Sequence, residues 1–361
     1  MKRYWLVALM LYNSFMSSLP AGEPPNSVPY TAYNIHYGFI IPHSESIRSI
    51  SRTHPFGAEI ELGLLHTGEK SYAYCNCYPK TGLSLLLFSF DNPDIIGNMA
   101  GATVYVEPFM IRTQKFHFSY RFALGIGYLN KPFDEHSNPA NLFYSTHING
   151  IATLATAANY HITPLVTART VIHYNHISNG GISRPNKGIN YPTMSMGLMY
   201  SFKPPAITAR EKAKNRLYIK KWYYRVMIFG TGKTKNLNED KKYPIWGIYA
   251  DAGHLAGRLS ILSLGFEAEK NLANRQIINE QGLDTDHHRI SAVGGHNLLI
   301  GRFMFSQFLG YYIHSPFRAR DILYQRYALQ FSITGYLFTA INLKAHRQVA
   351  DYMDLRIGYL F

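Results

Sequence analysis

FHFSYRFALGIGY, residues 116–128, alternates without a break. Phe116, Phe118, Tyr120, Phe122, Leu124, Ile126 and Tyr128 share one face, and His117, Ser119, Arg121, Ala123, Gly125 and Gly127 share the other. A period of two is a β-strand with one apolar and one polar or small face. The pattern returns at Tyr327, Leu329, Phe331 and Ile333 against Ala328, Gln330, Ser332 and Thr334. It closes the chain at Leu355-Arg356-Ile357-Gly358-Tyr359-Leu360-Phe361. Eight strands are predicted before Lys203, near 32–40, 56–64, 82–91, 100–111, 116–129, 145–161, 165–178 and 191–202. Eight more follow, near 221–231, 243–253, 259–270, 287–300, 303–313, 324–335, 338–346 and 352–361.

The composition fits strands that cross a membrane. There are 28 Tyr, 21 Phe and 28 Gly in 361 residues, yet the mean hydropathy is only −0.14, as expected when lipid-facing and interior residues alternate. Past the N-terminus there is no long uncharged apolar run, which argues against a helical membrane protein. Met1-Lys2-Arg3 and the apolar Tyr4 to Leu11 read as a signal peptide ending near Ala21. The expectation is an all-β, antiparallel transmembrane barrel of the bacterial outer membrane with about sixteen strands, in preference to a secreted β-sandwich. The segments expected are a leader at 1–21, a first barrel half at 22–203, a basic linker or turn at 204–220 and a second half at 221–361. One continuous barrel is favoured over an eight-stranded barrel followed by a second β domain.

The net charge is +14. It reads as solubilising loops or as a surface for anionic lipid head groups. No nucleic-acid motif accompanies it, so that class of partner is set aside. Cys75 and Cys77 lack the second pair a metal site needs. A bond between them would require a tight loop, and they are read as structural or incidental, inside a long turn at 65–81. His161 and His173 are expected at interior or turn positions, and Glu107 and Arg121 as an interior ion pair. His287, His288 and His296 are expected as interior polar residues without metal-ligand spacing. Lys344, His346 and Arg347 read as a polar strand end.

His176-Ile177-Ser178-Asn179-Gly180 and Asn190 carry the chemistry. His176 and Ser178 continue the apolar face of Val166, Ala168, Thr170, Ile172 and Tyr174. Asn190 leads into the apolar face of Met194, Met196, Leu198 and Tyr200. If no bulge intervenes, all three face lipid. Ser178 is the expected nucleophile and His176 its general base. Asn190 orients the imidazole through its side-chain carbonyl. A neutral amide supplies no charge, so the triad should be weaker than one ending in a carboxylate. Asn179, Gly180, Gly181 and Asn186 stand beside the nucleophile as sources of oxyanion donors.

The run HISNGGISRPNKGIN, residues 176–190, resembles the signature of the PagL-type lipid A 3-O-deacylases, and the whole chain resembles the longer acyloxyacyl hydrolase proteins. That resemblance implies an outer-membrane barrel whose Ser178 cleaves an acyl ester of lipid A. Where that family has a glutamate, position 190 here is asparagine. His-x-Ser-Asn-Gly with a later asparagine is also similar to outer-membrane phospholipase A, which would imply a phospholipid substrate, dimerisation and calcium. Otherwise no cofactor is expected, and the resemblances leave the oligomeric state open. The rival class is a non-enzymatic porin or structural barrel.

Overall fold

The computed structural model describes residues 27–113, 115–205, 221–235, 241–317, 319, 321–347 and 349–361. The expected leader and most of the expected linker lie outside the described residues. The described residues form sixteen strands. The first eight are β1 (Ser27–Gly38), β2 (Phe56–His66), β3 (Pro79–Ser89), β4 (Asn98–Arg112), β5 (Phe116–Leu129), β6 (Ile148–His161), β7 (Val166–Ser178) and β8 (Ile189–Ser201). The second eight are β9 (Trp222–Thr234), β10 (Lys242–Leu255), β11 (Ser260–Asn271), β12 (His288–Ile300), β13 (Phe303–His314), β14 (Leu323–Ser332), β15 (Leu337–His346) and β16 (Val349–Leu360). Among the described residues two α-helices, α1 (Glu69–Cys75) and α2 (Leu272–Glu280), and a short 3-10 helix, Glu45–Ile47, sit in loops.

The strand inventory agrees with the alternation, but the closure differs from the favoured single barrel. β1 pairs antiparallel with β8, and β9 pairs antiparallel with β16, so the sixteen strands form two closed barrels of eight. Eight strands enclose a space just wide enough for side chains to fill. The wide aqueous lumen that a single barrel of sixteen could hold is therefore absent.

The apolar face of each strand points outward. Ile172 is 64 % exposed and Leu264 is 67 % exposed, each within a continuous belt of Ile, Leu, Val, Tyr and Phe. A belt of that size in water would be an aggregation surface; in a bilayer it is the lipid contact. The inward faces are polar and closed. In the first barrel Glu107 accepts from Lys80 at 2.6 Å and from Arg121 Nε at 2.8 Å, while Arg169 bridges Glu61 and Glu107 at 2.9 and 3.0 Å. The Glu107–Arg121 pair is as expected, within a larger network. In the second barrel Lys344 donates to Glu269 at 2.7 Å, and Arg326 and Arg356 share Glu267 and Asp354. Lys344 is fully buried in that lumen and is not the polar strand end expected of it, because its parity points inward.

Longer loops gather at one end of each barrel, between odd strands and the even strands that follow; outer-membrane barrels keep such loops outside. At this end of the first barrel Ile47, Phe90, Ile96, Phe143, Tyr144 and Tyr191 pack into an apolar plug. The other end carries the 65–81 stretch, which is α1 followed by a turn at Asn76 (φ +54°) and a Cys75–Cys77 disulfide. The tight turn that pairing requires is supplied by a helix end. His287 and His288 also depart from expectation: they lie beside Asp286 at the loop end of β12, outside the lumen. His296, half-buried, shares the outward parity of Leu298, because its neighbours Gly295 and Asn297 take the inward positions.

Candidate active site

β7 and β8 pair without a register shift, and the register sets His176 directly opposite Asn190. Their inward neighbours Ile177 and Ile189 are fully buried in the apolar plug. The strand ends that carry His176, Ser178 and Asn190 on the outward face are therefore anchored from behind by packing. Each of the three is half-buried, at the loop end of the lipid-facing belt.

His176 Nδ1 lies 2.6 Å from Asn190 Oδ1. A third residue, which the sequence reading missed, fixes the direction of that bond. His43 Nε2 is 2.8 Å from the Lys187 carbonyl oxygen, which can only accept, so Nε2 carries the proton. His43 Nδ1 is then an acceptor, and it takes an N–H from Asn190 Nδ2 at 3.2 Å. The amide is thereby turned with Oδ1 toward His176, whose Nδ1–H donates to it. The lone pair is left on His176 Nε2, the nitrogen a general base needs. His43 arrives because the chain beyond β1 keeps pairing with β8: Phe39 N donates to the Pro192 carbonyl and Ile41 N to that of Asn190. Nothing local marks His43, which is 147 residues from Asn190.

Ser178 is two residues from His176 on the same face. Its Oγ accepts from Gly180 N at 3.2 Å. Among the described residues no hydrogen bond joins this oxygen to His176 Nε2; such bonds are often long without substrate and tighten in the Michaelis complex. Gly188 (φ +74°) closes the site from the side. A Cβ there would stand 2.9 Å from His176 Cε1 and 3.4 Å from Ser178 Cβ, so only glycine lets the loop approach this closely. Gly188 N donates to the Phe143 carbonyl at 2.8 Å, tying the loop to the plug.

The four candidate oxyanion residues divide into two roles. Of the four, Gly180 directs its N–H at Ser178 Oγ. The Asn179 N–H goes to Asn186 Oδ1 at 3.2 Å, and the Gly181 N–H goes to Asn179 Oδ1 at 3.0 Å. The Asn179 amide also donates to the Ser183 carbonyl at 2.9 Å. Asn179 and Asn186 thus brace the loop that presents Gly180. Two other groups of side chains have metal-like spacing: His36, Glu59 and His173 inside the first lumen, and Asp286, His287 and His288 on a loop. Neither touches the Ser178 site.

Two family models match the chain. The model for lipid A 3-O-deacylase (PagL) matches residues 56–199, and that for the acyloxyacyl hydrolase C-terminal domain matches residues 222–361. No curated protein matches. Among solved structures, Neisserial surface protein A is 10% identical with a TM-score of 0.34, covering 48% of this chain and 97% of its own. The β domain of the Bordetella autotransporter BrkA is 8% identical with a TM-score of 0.29, covering 93% and 99%. Scores this low carry no argument about function. The two models together span both barrels, and the first contains the His176–Asn190 run. The chain belongs to the lipid A 3-O-deacylase (PagL) family, whose members are hydrolases of the bacterial outer membrane.

Proposed function

We propose that the protein removes an ester-linked acyl chain from lipid A, in the manner of 3-O-deacylation, with Ser178, His176 and Asn190 as its triad. The observation that carries this reading is the 2.6 Å His176–Asn190 contact, held in one tautomer by His43, on the lipid-facing surface beside Ser178. His176 Nε2 takes the Ser178 proton as Oγ attacks the ester carbonyl carbon. The tetrahedral oxyanion is met by the Gly180 N–H. Collapse breaks the ester C–O bond, and His176 returns the proton to the departing sugar oxygen. Water, deprotonated by His176, then releases the fatty acid from Ser178. Apart from that water, each step uses groups of this chain. Calcium belongs to the phospholipase alternative.

Asn190, in place of a carboxylate, favours that second reading, an outer-membrane phospholipase A acting through the same triad. Mass spectrometry of lipid A and phospholipids from cells expressing the wild type or Ser178→Ala separates the two. Loss of one hydroxyacyl chain from lipid A, absent in the variant, supports the deacylase. Lysophospholipid with intact lipid A, abolished by EDTA, moves the protein to the second reading. Identical lipid pools in the two strains overturn the enzyme reading and leave a structural barrel.

A further inference from the structure

The second barrel reaches the candidate site. A Cβ at Gly180 would fall 1.9 Å from Met353 Sδ, and one at Gly181 would fall 3.5 Å from the Asp351 carbonyl oxygen. Met353 and Asp351 open β16 at the loop end of the second barrel, so the loop that presents the Gly180 N–H is walled by β16. At the opposite end Arg258 donates to the Ala73 carbonyl of α1, a second point of contact between the barrels.

Beside the Gly180–Met353 contact is a cavity of about 220 Å³. Arg184, six positions beyond Ser178 in the β7–β8 loop, lines one side; Lys233, Arg289, His346 and Asp351 of the second barrel line the other. The charges do not cancel. Arg184, Lys233 and Arg289 are three fixed cations, and Asp351 is the one carboxylate in the wall, so two positive charges remain. Asp351 is ion-paired with Lys233 and lies 3.8 Å from His346 Nδ1. Glu269, below the cavity, is 3.8 Å from Arg289 Nη1, too far for a hydrogen bond, and is already held by Lys344 at 2.7 Å.

Arg289 is the telling residue. It is 6% exposed, and its two Nη groups have only long polar contacts, Nη1 standing 3.8 Å from Glu269. Its Nη2 reaches the Phe317 carbonyl only at 3.5 Å. A buried guanidinium with unfilled donors is costly alone and is satisfied by an oxyanion that can take two parallel N–H bonds. We propose that this cleft binds a phosphate group of the lipid whose ester is presented to Ser178, making the second barrel the part that recognises the head group. Phosphate fits better than carboxylate because it can carry two charges and offers enough oxygens to face Arg184, Lys233 and Arg289 together.

The proposal rests on the lipid-hydrolase reading, and binding to a catalytically silent protein separates the two. Full-length Ser178→Ala protein, checked for folding by heat-modifiable gel mobility, is titrated calorimetrically with bisphosphorylated lipid A and with the same lipid after phosphatase treatment. The phosphorylated lipid is expected to bind about tenfold tighter or more, the size of one lost charge-assisted contact. Arg289→Gln and Arg184→Gln, each added to Ser178→Ala, are expected to bring the two lipids within about threefold of each other. Arg184 is an exposed loop residue, so its variant keeps the test valid if Arg289→Gln does not fold. Equal affinity for the two lipids, or a preference untouched by Arg184→Gln, overturns the proposal. So does inorganic phosphate that binds without competing with the lipid, since the site would then serve free phosphate. If the active protein cuts no lipid ester while Ser178→Ala still discriminates, the hydrolase reading fails and the phosphate site stands.

Discussion

Gly188→Ala probes the candidate site where it is tightest. The new Cβ meets His176 Cε1 at 2.9 Å and the Ile177 carbonyl oxygen at 3.1 Å, on a backbone at φ +74°. The left-handed conformation costs a non-glycine residue about 1–2 kcal/mol. The carbonyl belongs to a paired strand, so the imidazole is what must yield. Ordinary carbon–carbon contact lies near ~3.5 Å or beyond, which displaces the ring by roughly 0.6 Å. A misplacement of about 1 Å in a reacting group costs about a hundredfold, so a fall in kcat of about tenfold to a hundredfold is expected. Gly282→Ala is the control: φ there is +61°, and nothing lies within 4 Å of the added Cβ. Both variants should lose about 1–2 kcal/mol in urea titrations followed by gel mobility. Only Gly188→Ala should lose ester hydrolysis, followed by mass spectrometry of released fatty acid from lipid micelles. If Gly188→Ala turns over at the wild-type rate, His176 is not the base and the mechanism drawn from its position is wrong.

Asn190→Ala removes the partner that holds His176 in its working tautomer and should lower kcat by about tenfold to a hundredfold, the worth of a hydrogen bond to a group that becomes charged. His43→Phe only frees the Asn190 amide to turn over, so its effect should be several-fold smaller. It should also vanish in the Asn190→Ala background, which a double-mutant cycle on kcat reads directly; additive losses would place His43 outside the relay. In the lumen, Arg169→Met strands Glu61 and Glu107 and should cost about 3–5 kcal/mol of barrel stability. Arg48→Met, which breaks an exposed pair with Glu45, should cost under about 1 kcal/mol. Equal urea midpoints for these two variants would show that the lumen network contributes nothing to holding the barrel closed.

Alternation made the strands legible because every residue of a membrane strand must choose between lipid and lumen. It said nothing about closure. Whether β8 returns to β1 or continues to β9 is decided by pairings such as Tyr33 with Leu198 and Leu355 with Gly230, which leave the period of two unchanged in either topology. The same limit applies to the lumen. The inward parity of Glu107 and Arg121 could be read, but not that Glu61, Lys80 and Arg169 converge on them across the barrel. At the site, His176 and Ser178 declare their common face by spacing, and the register adds Asn190. His43 reaches Asn190 through a loop that folds over the barrel mouth, and no spacing rule connects them. For the cysteines the sequence states the condition, a tight turn between Cys75 and Cys77, but not the helix end at Asn76 that supplies it.

The charges inside each barrel also count strands. In the first, Glu59, Glu61 and Glu107 meet Lys80, Arg121 and Arg169, supplied by β2, β3, β4, β5 and β7. Lys80, Glu107 and Arg121 sit on adjacent strands, but Arg169 of β7 reaches Glu61 of β2 and Glu107 of β4 only because eight strands bend round to a narrow bore. Spread along the wall of a sixteen-stranded ring, the neighbours Lys80, Glu107 and Arg121 would still meet, but Arg169 would lose both Glu61 and Glu107 and stand unpaired. An incomplete or oversized ring therefore carries unmatched ions that the finished one does not, and β1 gains by meeting β8 in preference to any strand of the neighbouring barrel. The acids and bases of the lumen act as a gauge of circumference, by which one continuous chain of sixteen similar strands divides into two rings.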